Sequence, residues 1–426
     1  MSVKKKSLLY LAHRAPFPPD KGDRIRGYRH LTRLARLGDV DLVAMADSAA
    51  EADIAREGLA PLCRHVEVIP RRMFSALFQV GMHLLTGKSL STAWFDDVRV
   101  RAALVRLKAR DRYDLAFAFS SGIGPWLARI EADREVVDLC DLDALKWKAL
   151  AGDGGPMAPV YALEAERLFP IEQQLGERAD LSFLSTPNEA EDLIAASAPH
   201  NLNVLTNGVH WGDFLHLAPP SEAPPAVAFL GQMDYPPNVL AAAHLAQEVM
   251  PEVRKTVPGT VLKIIGRAPT QAVQRLEDEG KVEVTGAVES VPAALFDVRV
   301  FCAPLDRGRG IPNKILDALA AGRATVISSW SAKALSGKPG EDYLVADGAQ
   351  ARAEAIAALL NDPMRADALG AAGQAYVRRH HDWDRVLDQL EAALVDLLAD
   401  KSKVRPLVDR PSSPRPFSGL MAKEAG

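Results

Sequence analysis

From Val298 to Ser328 the chain reads VRVFCAPLDRGRGIPNKILDALAAGRATVIS, an order of residues that few folds accept. The apolar run Val298 to Ala303 suits a strand buried on both faces, as in a parallel sheet. Pro304 and the Asp-Arg-Gly-Arg-Gly stretch break that strand. Asn313 is placed to cap a helix whose Ile315, Leu316 and Leu319 fall at helical spacing, and Gly322 stops it. The start of such a helix carries free N–H groups and a partial positive charge. Gly308 and Gly310 let the backbone come close to a ligand, and Arg307, Arg309 and Lys314 add full charges. Two readings fit: a seat for a diphosphate, or an ordinary βαβ unit with a solvated basic loop.

The rest of the chain bears on that choice. Its 426 residues allow two or three domains. With 48% hydrophobic and 25% charged residues the composition is that of a globular protein with large cores. A net charge of −4 gives no reason to expect a nucleic-acid partner. Cys63, Cys140 and Cys302 lie far apart, which suits reduced core thiols and excludes zinc spacing. The start MSVKKKSLLYLA is too short in its apolar part for a signal peptide and reads as a first strand. Met73 to Leu85 falls short of the roughly 20 residues a spanning helix needs. The expected location is cytoplasmic, with association at the inner membrane face left open.

The two halves share one grammar. In the first, a strand at Ser7–Ala12, the loop HRAPFPPDKGD, a helix from about Arg24 to Leu37 and a strand at Val40–Ala46 follow one another. In the second, a strand at Val227–Leu230, the loop GQMDYPPN, a helix over Val239–Lys255 and a strand at Val261–Ile265 repeat it. Further strands are expected at 115–119, 136–139, 181–185 and 282–285. Alternation of strands and helices predicts an α/β fold with two doubly wound, Rossmann-like domains. The expected division is 1–206 for the first domain, 207–226 for a proline-rich linker and 227–380 for the second domain. A C-terminal helix at 381–400 and a disordered tail at 401–426 complete it.

The pattern Pro304-Leu305, Gly310, Lys314, Asp317-Ala318-Leu319-Ala320, Gly322 and Thr325-Val326 resembles the donor-site signature of the retaining GT-B glycosyltransferases of the family-four type. Asn207-Gly208-Val209, ahead of Phe214, is similar to that family's interdomain element. The blocks HRAPFPPDKGDRIRGYRHL, VVDLCDLDALKW and LGQMDYPPNV resemble the transferases of exosortase-associated exopolysaccharide clusters. The resemblance spans about residues 7–400. It implies two domains facing across a cleft and metal-independent transfer of a sugar, with retained configuration, from a UDP- or GDP-sugar to a lipid-linked glycan acceptor. No other cofactor is implied.

Lys314, Arg309 and Asp317 are then the expected catalytic residues. Lys314 and Arg309 would face charge that develops on the leaving diphosphate, and Asp317 would hold the ribose hydroxyls. Gly231, Asp234, Gly266, Thr285, Gly286, Gly308, Gly310, Asn313 and Ile315 complete the expected donor site. Departures are visible. Arg309 stands where the family has a glutamate, and Gln232 and Pro237 stand where it has a basic pair. Arg309, with Arg307, is expected to take over that charge, the alternative being that both arginines face water. A nucleotide-sugar epimerase and a non-catalytic partner in an assembly complex are the competing classes.

On the acceptor side the loop after the first strand offers Lys21, Gly22, Asp23 and Arg26. Asp23 reads equally as a helix cap. Ser120 follows the 115–119 strand, where relatives carry a histidine, so no general base is expected there. Asp141 is expected to orient an acceptor hydroxyl, and Asp143 reads also as a cap. Asp141-Leu-Asp143 has a metal-binding form that is common by chance, as Asp39-Val-Asp41 illustrates, and no metal is expected. Arg71 to Phe95 reads as a core helix and loop, or as an amphipathic surface for lipid.

Overall fold

A computed structural model describes residues 5–71, 79–83, 86–108, 112–152, 154–214, 218–306 and 310–399. The chain forms two compact units, Met1–Leu205 with the chain from Leu387 onward, and Thr206–Val386. The expected tail, Arg307, Gly308, Arg309 and part of the Arg71–Phe95 stretch lie outside the described residues.

The first unit is built on a sheet of seven parallel strands: β1 (Lys6–Ala12), β2 (Gly38–Ala46), β3 (His65–Pro70), β4 (Leu115–Phe119), β5 (Glu135–Cys140), β6 (Leu181–Leu184) and β7 (Leu202–Val204). Their order is β3-β2-β1-β4-β5-β6-β7, so the winding reverses between β1 and β4. β1 lies in register with both, Tyr10 opposite Leu42 and Phe117. Leu8 through Ala12 and Leu115 through Phe119 are buried without alternation, because helices cover both faces. The pattern rule found these central strands, whereas β3 and β7 at the edges lacked a long apolar run.

The helix Gly22–Leu37 follows β1. Its Arg33 is buried and reaches Asp388 and Glu391, both at 2.9 Å, on the helix Trp383–Ala399. That helix also buries Leu387, Leu390, Leu394 and Leu397, a stripe at helical spacing. Arg33→Ala is expected to cost about 1.5–3 kcal/mol, the range for hydrogen bonds to charged groups. Limited proteolysis should then cut the last helix first. Cleavage no faster than in the wild type would refute the role.

The second unit holds six parallel strands, β8 (Ala226–Leu230), β9 (Val261–Ile265), β10 (Val282–Gly286), β11 (Val300–Ala303), β12 (Ala324–Ile327) and β13 (Leu344–Val345), in the order β10-β9-β8-β11-β12-β13. It has the same reversal, here between β8 and β11. The expected helix over 239–255 is Pro236–His244 and Met250–Thr256, joined by one π turn at Leu245–Val249. The wider turn lies just ahead of Pro251, whose missing N–H would break regular hydrogen bonding.

The proline-rich stretch is packed against this unit. Arg299 donates to the carbonyls of Pro220 and Ala223, and the Ser221 N–H donates to Asp367. Cys302 is buried in β11, and its thiol is pushed up to about 12 by burial. Among the described residues no helix is long and apolar enough to cross a membrane.

Candidate active site

At the carboxyl edge of the second sheet the strand ends are glycines. Gly231 follows β8 and donates its N–H to Ile265, at 2.9 Å; Gly266 follows β9 and donates to Gly286, at 3.1 Å. Gly266 has φ +148°, and a Cβ there would stand 1.6 Å from the Gly231 carbonyl oxygen. Only glycine permits that approach. Gly286, at φ +68°, faces open space beside a bulge in β10.

The helix Asn313–Ala320 starts beside these ends. Asn313 was expected to cap it, but Pro312 occupies the cap position, and among the described residues no side chain accepts from the first N–H groups. Asn313 is the first helical residue, and its buried Oδ1 has no partner among the described residues. An uncapped start leaves donors for a ligand. The far end behaves as expected: Gly322 is left-handed, its N–H bonds to Leu319 and that of Arg323 to Ala318.

Lys314 points back to the strand edge. Its Nζ donates to Oδ1 of buried Asn238 and lies 5.0 Å from the centre of the Phe229 ring. A Cβ on Gly231 would come within 3.0 Å of this Nζ. Asn238 is fixed in turn by donating to the Gln232 carbonyl, at 2.8 Å. Burial pulls the Lys314 ammonium down to about 8. Asp317, one turn on, has no side-chain hydrogen bond among the described residues, and burial followed by nearby Asp213 pushes it up to about 7.

The other donor-side residues separate. Gly310 is left-handed at φ +72°. Thr285 donates its hydroxyl to the Gly286 carbonyl, at 3.0 Å. Asp234 is exposed in the turn after Gly231. The Ile315 side chain is fully buried in the core, so only its main chain is available to a ligand, a correction that its place on the inner helical face explains. Sequence reasoning missed Arg267, which follows Gly266 and donates to the Gln232 side chain at 3.3 Å. It has no ion pair among the described residues. The signal was present: a cation directly after a strand-ending glycine.

In the first unit β1 and β4 end at the reversal. His13, also missed, sits there with Nδ1 3.3 Å from the Phe119 carbonyl and Nε2 3.5 Å from Asp23. Asp23 pairs with Arg14 at 3.0 Å as well. Against the upward pull of burial, these partners hold its carboxyl well below the usual range. Asp23 is not the cap: Lys21 holds that position without a capping bond, and Gly22 opens the helix.

Arg26 is withdrawn from any acceptor. It is fully buried, forks onto Asp138 at 2.7 and 3.0 Å, and donates to the Leu205 carbonyl at 2.8 Å. Although burial works against the charge, Asp138 holds the guanidinium above its ordinary value.

Ser120 and Cys140 both have left-handed backbones, at φ 91° and 66°, on the adjacent ends of β4 and β5. Such conformations cost about 1–3 kcal/mol each and gather at functional edges. The Lys146 ammonium lies between Asp141 and Asp143, at 2.8 and 2.9 Å, where a metal-binding reading would put a cation. Asp141 also accepts from Ser185 at 2.7 Å. Burial would raise its pKa, but Lys146 and Ser185 hold it low. Asp143 opens the helix Asp143–Gly152 and does not cap it; buried Glu172, from the helix Ala158–Arg178, accepts from its N–H at 2.8 Å. Glu172 gave no sequence signal, because its partner lies on another helix. In Asp39-Val-Asp41, Asp41 is fully buried on Arg64, His65 and Tyr113.

Two parallel doubly wound sheets with these connections are the GT-B fold of nucleotide-sugar glycosyltransferases. Residues 224–362, which hold the glycine edge, Lys314 and Asp317, match the family described as glycosyl transferases group 1. The chain is 27% identical over 319 residues to a phosphatidyl-myo-inositol mannosyltransferase of Mycobacterium leprae (strain TN), covering 69% of this chain and 81% of that one. It is 30% identical over 171 residues to the GDP-mannose-dependent alpha-(1-6)-phosphatidylinositol monomannoside mannosyltransferase of Mycobacterium tuberculosis (strain ATCC 25618 / H37Rv), covering 37% and 43%. In fold it is similar to sucrose-phosphate synthase from Thermosynechococcus elongatus, with a TM-score of 0.69 at 18% identity, covering 92% of this chain and 99% of that one. Anabaena HepE in complex with UDP and glucose gives 0.60 at 15% identity, covering 92% and 100%.

Proposed function

We propose that the chain is a retaining, metal-independent glycosyltransferase that moves a hexose from a UDP- or GDP-sugar to a lipid-linked glycan of an exopolysaccharide pathway. The observation that carries this reading is Lys314. A half-buried ammonium in the first turn of a helix stands beside the glycine strand end at Gly231, which Gly266 in turn approaches closely. The leaving nucleoside diphosphate gains negative charge in the transition state. Fixed N–H groups and a nearby cation stabilise that charge more than the ground state. Arg267 supplies a second charge on the Gln232 side, in place of the basic pair that the family carries there. Asp317, once ionised, accepts from the ribose hydroxyls. Gly286 and the main chain around Thr285 receive the base.

On the acceptor side His13 and the Asp141–Lys146 pair hold the hydroxyl that attacks. The departing phosphate takes the proton, which leaves no separate base to assign. Glycolipid acceptors are supported by the mannosyltransferase relatives, which are described as acting on phosphatidylinositol lipids. A peripheral position at the inner face of a membrane follows from such an acceptor.

The two titrations fix the expected pH profile. Asp317 must lose its proton, so activity rises through about pH 7; Lys314 must keep its own, so activity falls through about pH 8. A bell in kcat/KM between those values is expected, because kcat/KM reports the free enzyme. In Asp317→Asn the acid limb should disappear. A flat profile from pH 6 to 9 would sink the assignment.

The direct test is nucleoside diphosphate release from a panel of UDP- and GDP-sugars with glycolipid extracts as acceptors. Release from one donor supports the reading. Neither release nor nucleotide binding would overturn it.

A further inference from the structure

Trp211, Gln374, Arg378, Arg379 and Arg385, with two alanines, line a pocket of about 330 Å³ in the second unit. That volume is at the lower end of the range for small-molecule sites. The Arg378 guanidinium lies over the Trp211 indole, 5.3 Å from its centre. None of the three arginines has an ion pair among the described residues. Arg24, Arg33, Arg64, Arg178 and Arg352 pair with carboxylates, whereas Arg299 and Arg323 donate to backbone carbonyls. Here three guanidinium groups with neither kind of partner among the described residues line one pocket.

Helix electrostatics explain only part of the cluster. Arg378 and Arg379 end the helix Pro363–His380, where cations complement the macrodipole. Arg385 does not share this reason: it lies in the first turn of Trp383–Ala399, where a positive charge is disfavoured. His380 is held below its ordinary value by burial and then by Arg379, in keeping with a positive surround.

We infer that this pocket binds a phosphate-bearing sugar, at a site separate from the donor seat. Guanidinium groups match phosphate oxygens in planar, forked geometry. The indole gives a flat apolar wall against which the ring of a sugar can lie. Gln374 donates to the Ala320 carbonyl at 2.9 Å and so ties the pocket to the carboxyl end of the helix whose first turn carries Lys314. At about 1.5 Å per residue, the two sites lie on the order of 10 Å apart along that helix. The inference goes beyond the proposed transfer and does not depend on it. The phosphate can come from a soluble sugar phosphate or from a lipid-borne one.

The test is a calorimetric titration of the full chain with glucose 1-phosphate, and flotation with vesicles containing phosphatidylglycerol. The variants are Arg378→Ala/Arg385→Ala, Arg379→Glu and Lys314→Ala. The arginines are exposed, and Arg379→Glu alone carries the test should the double variant fail to fold. Binding weakened about tenfold or more in the arginine variants, and kept in Lys314→Ala, supports a soluble ligand. Vesicle binding lost in the arginine variants, with no glucose 1-phosphate binding, supports a lipid-borne one. Neither probe responding to the arginine changes overturns the inference. Failure of the donor reading would show separately, as a Lys314→Ala rate of nucleoside diphosphate release within about threefold of the wild type.

Discussion

Replacing Lys314 with alanine is expected to slow nucleoside diphosphate release by about 10²–10³-fold, the usual cost of removing one fixed donor from developing transition-state charge. The cost should fall mainly on kcat, because the ammonium meets more charge in the transition state than in the bound donor. Lys314→Arg is expected to recover little. The Nζ lies in the narrow space between Asn238 and Gly231, which a planar guanidinium does not fit. Asn238→Ala should show an intermediate loss, since it removes the partner that aims the lysine. Single-turnover rates at saturating donor read these effects. A Lys314→Ala rate within about threefold of the wild type would remove the lysine from the chemistry.

Asp138→Ala is expected to produce the largest loss of stability, about 3–5 kcal/mol, because it leaves the Arg26 charge buried and unpaired. For a unit of about 240 residues that corresponds to a fall in Tm of roughly 10 °C. The double replacement Arg26→Met/Asp138→Leu should recover most of the loss, because apolar side chains substitute well for a buried pair. Differential scanning calorimetry on the three variants separates the outcomes. An Asp138→Ala protein that melts within about 2 °C of the wild type would show that the pair carries no such weight.

Much of the fold could be read from periodicity. β1, β4, β9 and β11 are near-continuous apolar runs between glycine, proline or aspartate, and that grammar has few alternatives. Three of the four edge strands, β3, β7 and β13, escaped it: β13 is two residues long and pairs on one side only. The candidate site was legible where its residues follow one another in local order. Lys314 after a glycine loop and Gly266 after a strand follow from sequence neighbours. Arg26 shows the opposite case. Its loop made it look like a ligand contact, yet its partner is 112 residues away in sequence, and no local pattern announces a buried fork. The Lys146 bridge between Asp141 and Asp143 escaped in the same way, because which groups a side chain meets is decided by packing.

The contact between Gly231 and Gly266 bears on how donor choice could be redesigned. The floor of the seat at these two positions is peptide, and any added side chain collides with the chain itself. In the proposed donor seat, recognition at these positions would be the same for every nucleotide sugar and would carry no information about which one is held. Libraries intended to change the sugar or the base should therefore leave positions 231 and 266 alone and vary the rim, at Gln232, Asp234, Arg267 and Thr285.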